Sequence, residues 1–111
     1  MLTPRIEVKV NAHGGDGQIT MKHILSDNEM HGKCRLYAEV TIYPGSSLGY
    51  HEHEGENETY YILSGEAEYQ DDAVTKRVSA GDITFTPSGH GHGIKPIGNE
   101  PVVFMALIIC D

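Results

Sequence analysis

The sequence predicts an all-β fold, a sandwich or barrel of short strands. Three observations carry this reading. No apolar period of 3.6 residues persists for three turns; short runs of β-branched and aromatic residues recur instead; and clusters of Gly, Pro, Asn and Asp separate them. So many short strands in 111 residues bury their apolar faces only if the sheets close on each other.

Taken in order, the predicted strands are Arg5 to Val10, Gln18 to Leu25, Cys34 to Tyr43, Thr59 to Leu63, Glu66 to Gln70, Val74 to Val78, Ile83 to Thr86, His92 to Lys95 and Val102 to Ile109. Between them lie the turn-forming stretches HGGDG, SDNEMHG, YPGSS, QDD, SAGD, TPSGHG and PIGNEP. Gly14, Gly15 and Gly17 superficially resemble a phosphate cradle, but no Gly-Lys-Ser/Thr follows and no helix supplies a dipole, so they read as a turn. With no repeat, linker or low-complexity segment, residues 1–111 read as one domain.

Composition narrows the partners. A chain of this size buries ~65% of the surface its unfolded form exposes, enough for one core. The net charge of −8 and the lack of any Lys/Arg run argue against nucleic acid and against an anionic membrane surface. The longest apolar run, Val102 to Cys110, is too short to span a bilayer, and the N-terminal residues show no secretory signal. Cys34 and Cys110 are isolated and read as reduced, mostly buried thiols, which makes a cytoplasmic location the expectation.

Candidate chemistry concentrates in two segments. In HEHEGENE, residues 51 to 58, His51 and His53 are two apart and point the same way along an extended chain. The EGEN stretch reads as a turn, and Glu58, just past it, can face back toward the imidazoles. Glu52 has the opposite parity, and Glu54 and Glu56 flank the turn; all three read as a solvated acidic loop. In GDITFTPSGHGHG, His90 and His92 again share parity after a Pro-Ser-Gly turn. A nitrogen-rich site with one carboxylate suits Mn, Fe, Co, Ni, Cu or Zn, and poorly suits Ca or Mg.

The spacing then resembles a known family. Gly45, five residues, His51-Glu52-His53, four residues, Glu58, six residues, Gly65 is similar to the first cupin motif. Gly81, five residues, Pro87-Ser88-Gly89, two residues, His92 matches the second motif up to its histidine. The resemblance covers Gly45 to His92 and fits the short single-domain bacterial cupins. It implies a double-stranded β-helix, a small jelly-roll barrel, with His51, His53, Glu58 and His92 holding one divalent transition metal, Mn or Fe by preference. One departure stands out: Pro96 occupies the place of the motif's usual Asn, which predicts disturbed strand pairing near Lys95.

Four protein ligands on an ion that prefers six leave two neighbouring positions. Those suit a bidentate oxygen ligand: a dicarboxylate, 2-oxo acid, hydroxy acid or enediol. The expected function is therefore a metal-dependent enzyme of decarboxylase, dioxygenase or isomerase type acting on a small oxygenated acid; the alternative is a non-catalytic binding barrel. By parity Tyr60 and Ile62 share the face of Glu58 and Ile94 that of His92, while Lys95 faces away. Tyr60 and His90 are the candidate residues beside the metal, with His90 placed either in the cavity or at the barrel mouth. On the last strand, either Phe104, Ala106 and Ile108 or Val103, Met105 and Leu107 look inward. The resemblance, with apolar sheet edges that need covering, also implies a homodimer.

Overall fold

A computed structural model describes residues 1–111. Its strands are β1 (Arg5–Val10), β2 (Gln18–His23), β3 (Cys34–Ile42), β4 (Leu48–Glu52) and β5 (Glu56–Ser64), followed by β6 (Glu66–Asp71), β7 (Val74–Ser79), β8 (Ile83–Thr86), β9 (Gly91–Pro96) and β10 (Val102–Cys110). They form two antiparallel sheets, one in the order β1-β2-β3-β10-β5-β8 and one in the order β4-β9-β6-β7. The chain switches sheets repeatedly, so the two sheets enclose one interior.

Alternation along the strands builds that interior. On β5, Glu56, Glu58, Tyr60 and Ile62 are buried, while Tyr61 and Leu63 are exposed. The last strand resolves in favour of Phe104 and Ala106, both buried, with Ile108 continuing that face. Register carries the same face across the sheet: Phe104 lies opposite Ile62 and Val40, and Ala106 opposite Tyr60 and Ala38. These side chains join Ile19, Met21, Tyr69 and Ile94 in one apolar cluster. Ile94 points inward and Lys95 is exposed, as parity predicts.

Several expectations need correction. The segment Leu48–Glu52, absent from the predicted strands although His51 reads as lying on extended chain, is a strand; its pairing with β9 slips between Leu48 and His51. β5 begins at Glu56, so the EGEN turn is confined to Glu54 and Gly55. Strand β2 stops at His23, and the SDNEMHG stretch contains one helical turn, Asp27–Met30, with a Ser26/Glu29 capping box. Pairing near Lys95 is not disturbed: Lys95 lies opposite Glu68 and Pro96 opposite Ala67. Pro96 is the last residue of its strand, where one missing donor is tolerated.

Gly65 shows what the motif glycines do. It sits at φ 81 between β5 and β6, and a Cβ there would collide with the backbone carbonyl of Pro101. Only glycine combines that left-handed conformation with so close an approach.

Candidate metal centre

Four side chains from three strands and one connecting loop meet inside the barrel. β4 carries His51, the turn that follows carries His53, β5 carries Glu58 and β9 carries His92. One ligand atom from each lies within 4.8 Å of the others. Strand pairing explains the convergence: His51 is opposite His92 in one sheet, and Glu58 faces them from the other. His53, Glu58 and His92 are buried and His51 is half-buried.

The spacing fits a metal ion. Bonds of ~2.1 Å at right angles place neighbouring ligand atoms about 3.0 Å apart. Here Oε1 of Glu58 lies 3.0 Å from Nε2 of His53 and 2.9 Å from Nε2 of His92. The two Nε2 atoms are 3.1 Å apart, and Nε2 of His51 is 3.9 Å from Glu58.

Each imidazole is oriented through its other nitrogen. The Nδ1–H of His51 donates to the Gly49 carbonyl at 2.8 Å, and a carbonyl can only accept, so Nε2 presents a lone pair inward. The Nδ1–H of His53 donates to the Glu56 carboxylate at 2.6 Å, and Arg35 donates to that same carboxylate. Nδ1 of His92 lies 2.8 Å from the Tyr69 hydroxyl and 2.9 Å from that of Thr86. Partners of this kind hold the rings of metal-binding histidines, and the carbonyl behind His51 and the carboxylate behind His53 fix their tautomers as well. The consequence is electrostatic. Inward lone pairs and a carboxylate oxygen crowd one point, and only a cation or shared protons relieve their repulsion.

Without an ion the imidazoles can meet the carboxylate only as proton donors: burial alone would raise the Glu58 carboxyl, but the surrounding His51, His53 and His92 imidazoles outweigh it and hold the group far below the usual carboxylate range. The Glu58 carboxylate raises His53, with burial opposing and Glu56 assisting. Burial lowers His92 despite Glu58.

His51, His53 and Glu58 face a cavity of about 550 Å³. Tyr60 lines it as well, its ring stacked on His92 at 4.7 Å and its hydroxyl 3.4 Å from Nε2 of that histidine. Burial pushes the Tyr60 phenol well above its ordinary value, so it is held protonated and keeps a hydroxyl proton to donate. Of the two placements predicted for His90, the cavity is ruled out: it is exposed, its Nδ1 pairs with Asp72 at 2.6 Å, and it does not join the nitrogen cluster. Glu56 is a correction. It is a buried carboxylate bound to His53 and Arg35, not part of a solvated loop; Glu52 and Glu54 are exposed as expected. His13, read only as part of a turn, stacks on His51 at 3.9 Å and lines the cavity; burial, then His51, lowers its pKa.

A family model of the cupin domain matches residues 38–109. The chain is a cupin. Among relatives of this cupin, the oxalate-binding protein of Thermotoga maritima is 48% identical over 99 residues, covering 89% of this chain and 82% of that one. The crystal structure of a predicted oxalate decarboxylase from Thermotoga maritima superposes with a TM-score of 0.92 at 45% identity, covering 99% of this cupin and 94% of that chain. The oxalate decarboxylase of Bacillus subtilis is 36% identical over 91 residues, 78% of this cupin but only 24% of that longer protein.

Proposed function

We propose that this cupin holds one divalent transition metal through His51, His53, Glu58 and His92, Mn or Fe by preference, and binds a small oxygenated acid to it. The observation that carries the reading is the right-angle spacing of Nε2 of His53, Nε2 of His92 and Oε1 of Glu58, with every imidazole oriented from behind. When bound, the metal supplies a Lewis acid to which carboxylate and neighbouring oxygen atoms can chelate. The chain's own residues set the rest: the Gly49 carbonyl, Glu56 and the Tyr69–Thr86 hydroxyl pair hold the imidazoles, and the Tyr60 hydroxyl stays protonated beside His92. The likeness to an oxalate-binding protein supports a small acid as ligand. The test is calorimetry with metal-loaded protein and oxalate; no heat from oxalate, pyruvate or glycolate with any first-row metal would refute the reading.

Turnover is the second reading, in which the same site works as a decarboxylase, dioxygenase or isomerase. Its support is the likeness to an oxalate decarboxylase and the presence of His13 and Tyr60, two groups able to hold a proton at the cavity wall. Release of CO₂ from oxalate, or O₂ uptake with it, checks this. Stable binding without either leaves the site as a receptor.

A homodimer accompanies the proposal. The outer face of β5 and β8 exposes Tyr61, Leu63, Ile83 and Phe85, an apolar patch suited to a second copy of this chain. A one-chain mass by light scattering would contradict it. Two free, half-buried thiols, Cys34 and Cys110, support a reducing, cytoplasmic setting, which fractionation of cells would test.

A further inference from the structure

The cavity is much larger than the smallest chelating acids require. Its volume of about 550 Å³ lies within the range of pockets for drug-sized ligands. A water molecule takes ~30 Å³ of liquid, so an oxalate-sized dianion fills the space of only about three.

The excess space has a defined chemistry. Ile108 lies directly opposite Glu58 on the neighbouring strand and faces the same interior, and Leu36 lies opposite Ile108 on the strand beyond. Ile19, Met21 and Val40 extend the same wall. An apolar surface thus begins at the candidate ligand Glu58 and runs two strand spacings, ~10 Å, away from it.

Charge points the same way. Lys9 and Arg35 are the only lysine and arginine of the lining, against the carboxylates of Glu52, Glu54, Glu56 and Glu58. Arg35 is committed to Glu56, and His23, also on the wall, to Glu7 at 2.8 Å. A divalent ion brings this lining to neutrality, leaving no surplus positive charge for a second carboxylate at the far end of a ligand.

Resting on the proposed acid-binding reading, we infer that the ligand is a 2-oxo or 2-hydroxy monoacid whose chelating head carries an apolar chain of about four to six carbons along the Ile108–Leu36 wall, a length matched to ~10 Å.

The test is calorimetry on manganese-loaded protein with straight-chain 2-oxo acids from pyruvate to 2-oxooctanoate, beside oxalate. Affinity is expected to rise about fourfold per added methylene until the wall is covered. Leu36→Trp and, separately, Ile108→Trp should flatten that rise by filling the channel. Since the wild-type series is itself decisive, a variant that fails to fold does not rescue the inference. Oxalate binding tightest, with affinity flat or falling from pyruvate onward, would overturn the inference and leave the acid-binding site standing. Absence of binding by oxalate and by every 2-oxo acid would overturn both.

Discussion

Replacing Glu56 with Gln tests how the candidate centre is held together. The Glu56 carboxylate is buried, accepts the His53 Nδ1–H at 2.6 Å and accepts a second hydrogen bond from Arg35. A Gln side chain keeps the shape, but its one carbonyl oxygen can serve only one donor well, and its amide presents hydrogens to the other. Charge-assisted hydrogen bonds of this kind contribute ~1.5–3 kcal/mol. Loss of such a partner behind a metal-binding histidine lowers metal affinity ~10–100-fold. The assay is competition for Mn or Zn against a chromophoric chelator, with thermal unfolding run in parallel to confirm that the variant is folded. Glu54→Gln, an exposed change on the same turn that removes the same charge without touching His53, is the control and should lower affinity far less. A folded Glu56→Gln protein with wild-type metal affinity would refute the view that this carboxylate fixes His53.

Four further outcomes are expected. The His51→Ala, His53→Ala double variant should fall from one equivalent of bound metal to background in elemental analysis. Metal affinity should drop as pH falls through about 6, because protonated imidazoles cannot ligate, with competition at His53 starting above its ordinary value; occupancy unchanged at pH ~4.5 against a chelator would contradict this. Proton titration followed by NMR should place His90 above the ordinary histidine range, because Asp72 stabilises its charged form, and Asp72→Asn should bring it back. The His90 part of that pair stabilises below the unfolded histidine value and is lost as pH rises through the folded one; the Asp72 part, lowered chiefly by the Gly91 N–H and then by His90, is lost as pH falls. Finally, denaturant unfolding should show Gly45→Ala, strained but unobstructed, costing ~1–2 kcal/mol, and Gly65→Ala costing clearly more because of Pro101.

How far the residues announced this arrangement depends on whether their signal was local. The faces of Glu58, Tyr60, Ile62 and Ile94 followed from two-residue alternation, since a strand repeats its environment every second position. Glu56 obeys the same alternation, and its burial was legible in principle: starting the strand three residues earlier, at Glu56 in place of Thr59, puts it in line with Glu58. The Gly55 turn signal obscured that. His90 shows the opposite case. It shares parity with His92 in the sequence, but it precedes β9, and the turn before it swings its ring out toward Asp72. His13, Tyr69 and Arg35 had no local signal, because each reaches the centre through a distant element: His13 by stacking on His51, Tyr69 from β6 and Arg35 through Glu56. The inward face of β10 was undecidable from an unbroken apolar run, and pairing with β3 and β5 decided it.

The most direct measurement is anomalous diffraction from crystals of the manganese-loaded protein, recorded at the metal's absorption edge. The account predicts a single strong peak about 2.1–2.3 Å from Nε2 of His51, Nε2 of His53, Nε2 of His92 and a carboxylate oxygen of Glu58. A peak elsewhere, or an ion held without the His92 imidazole, would contradict it.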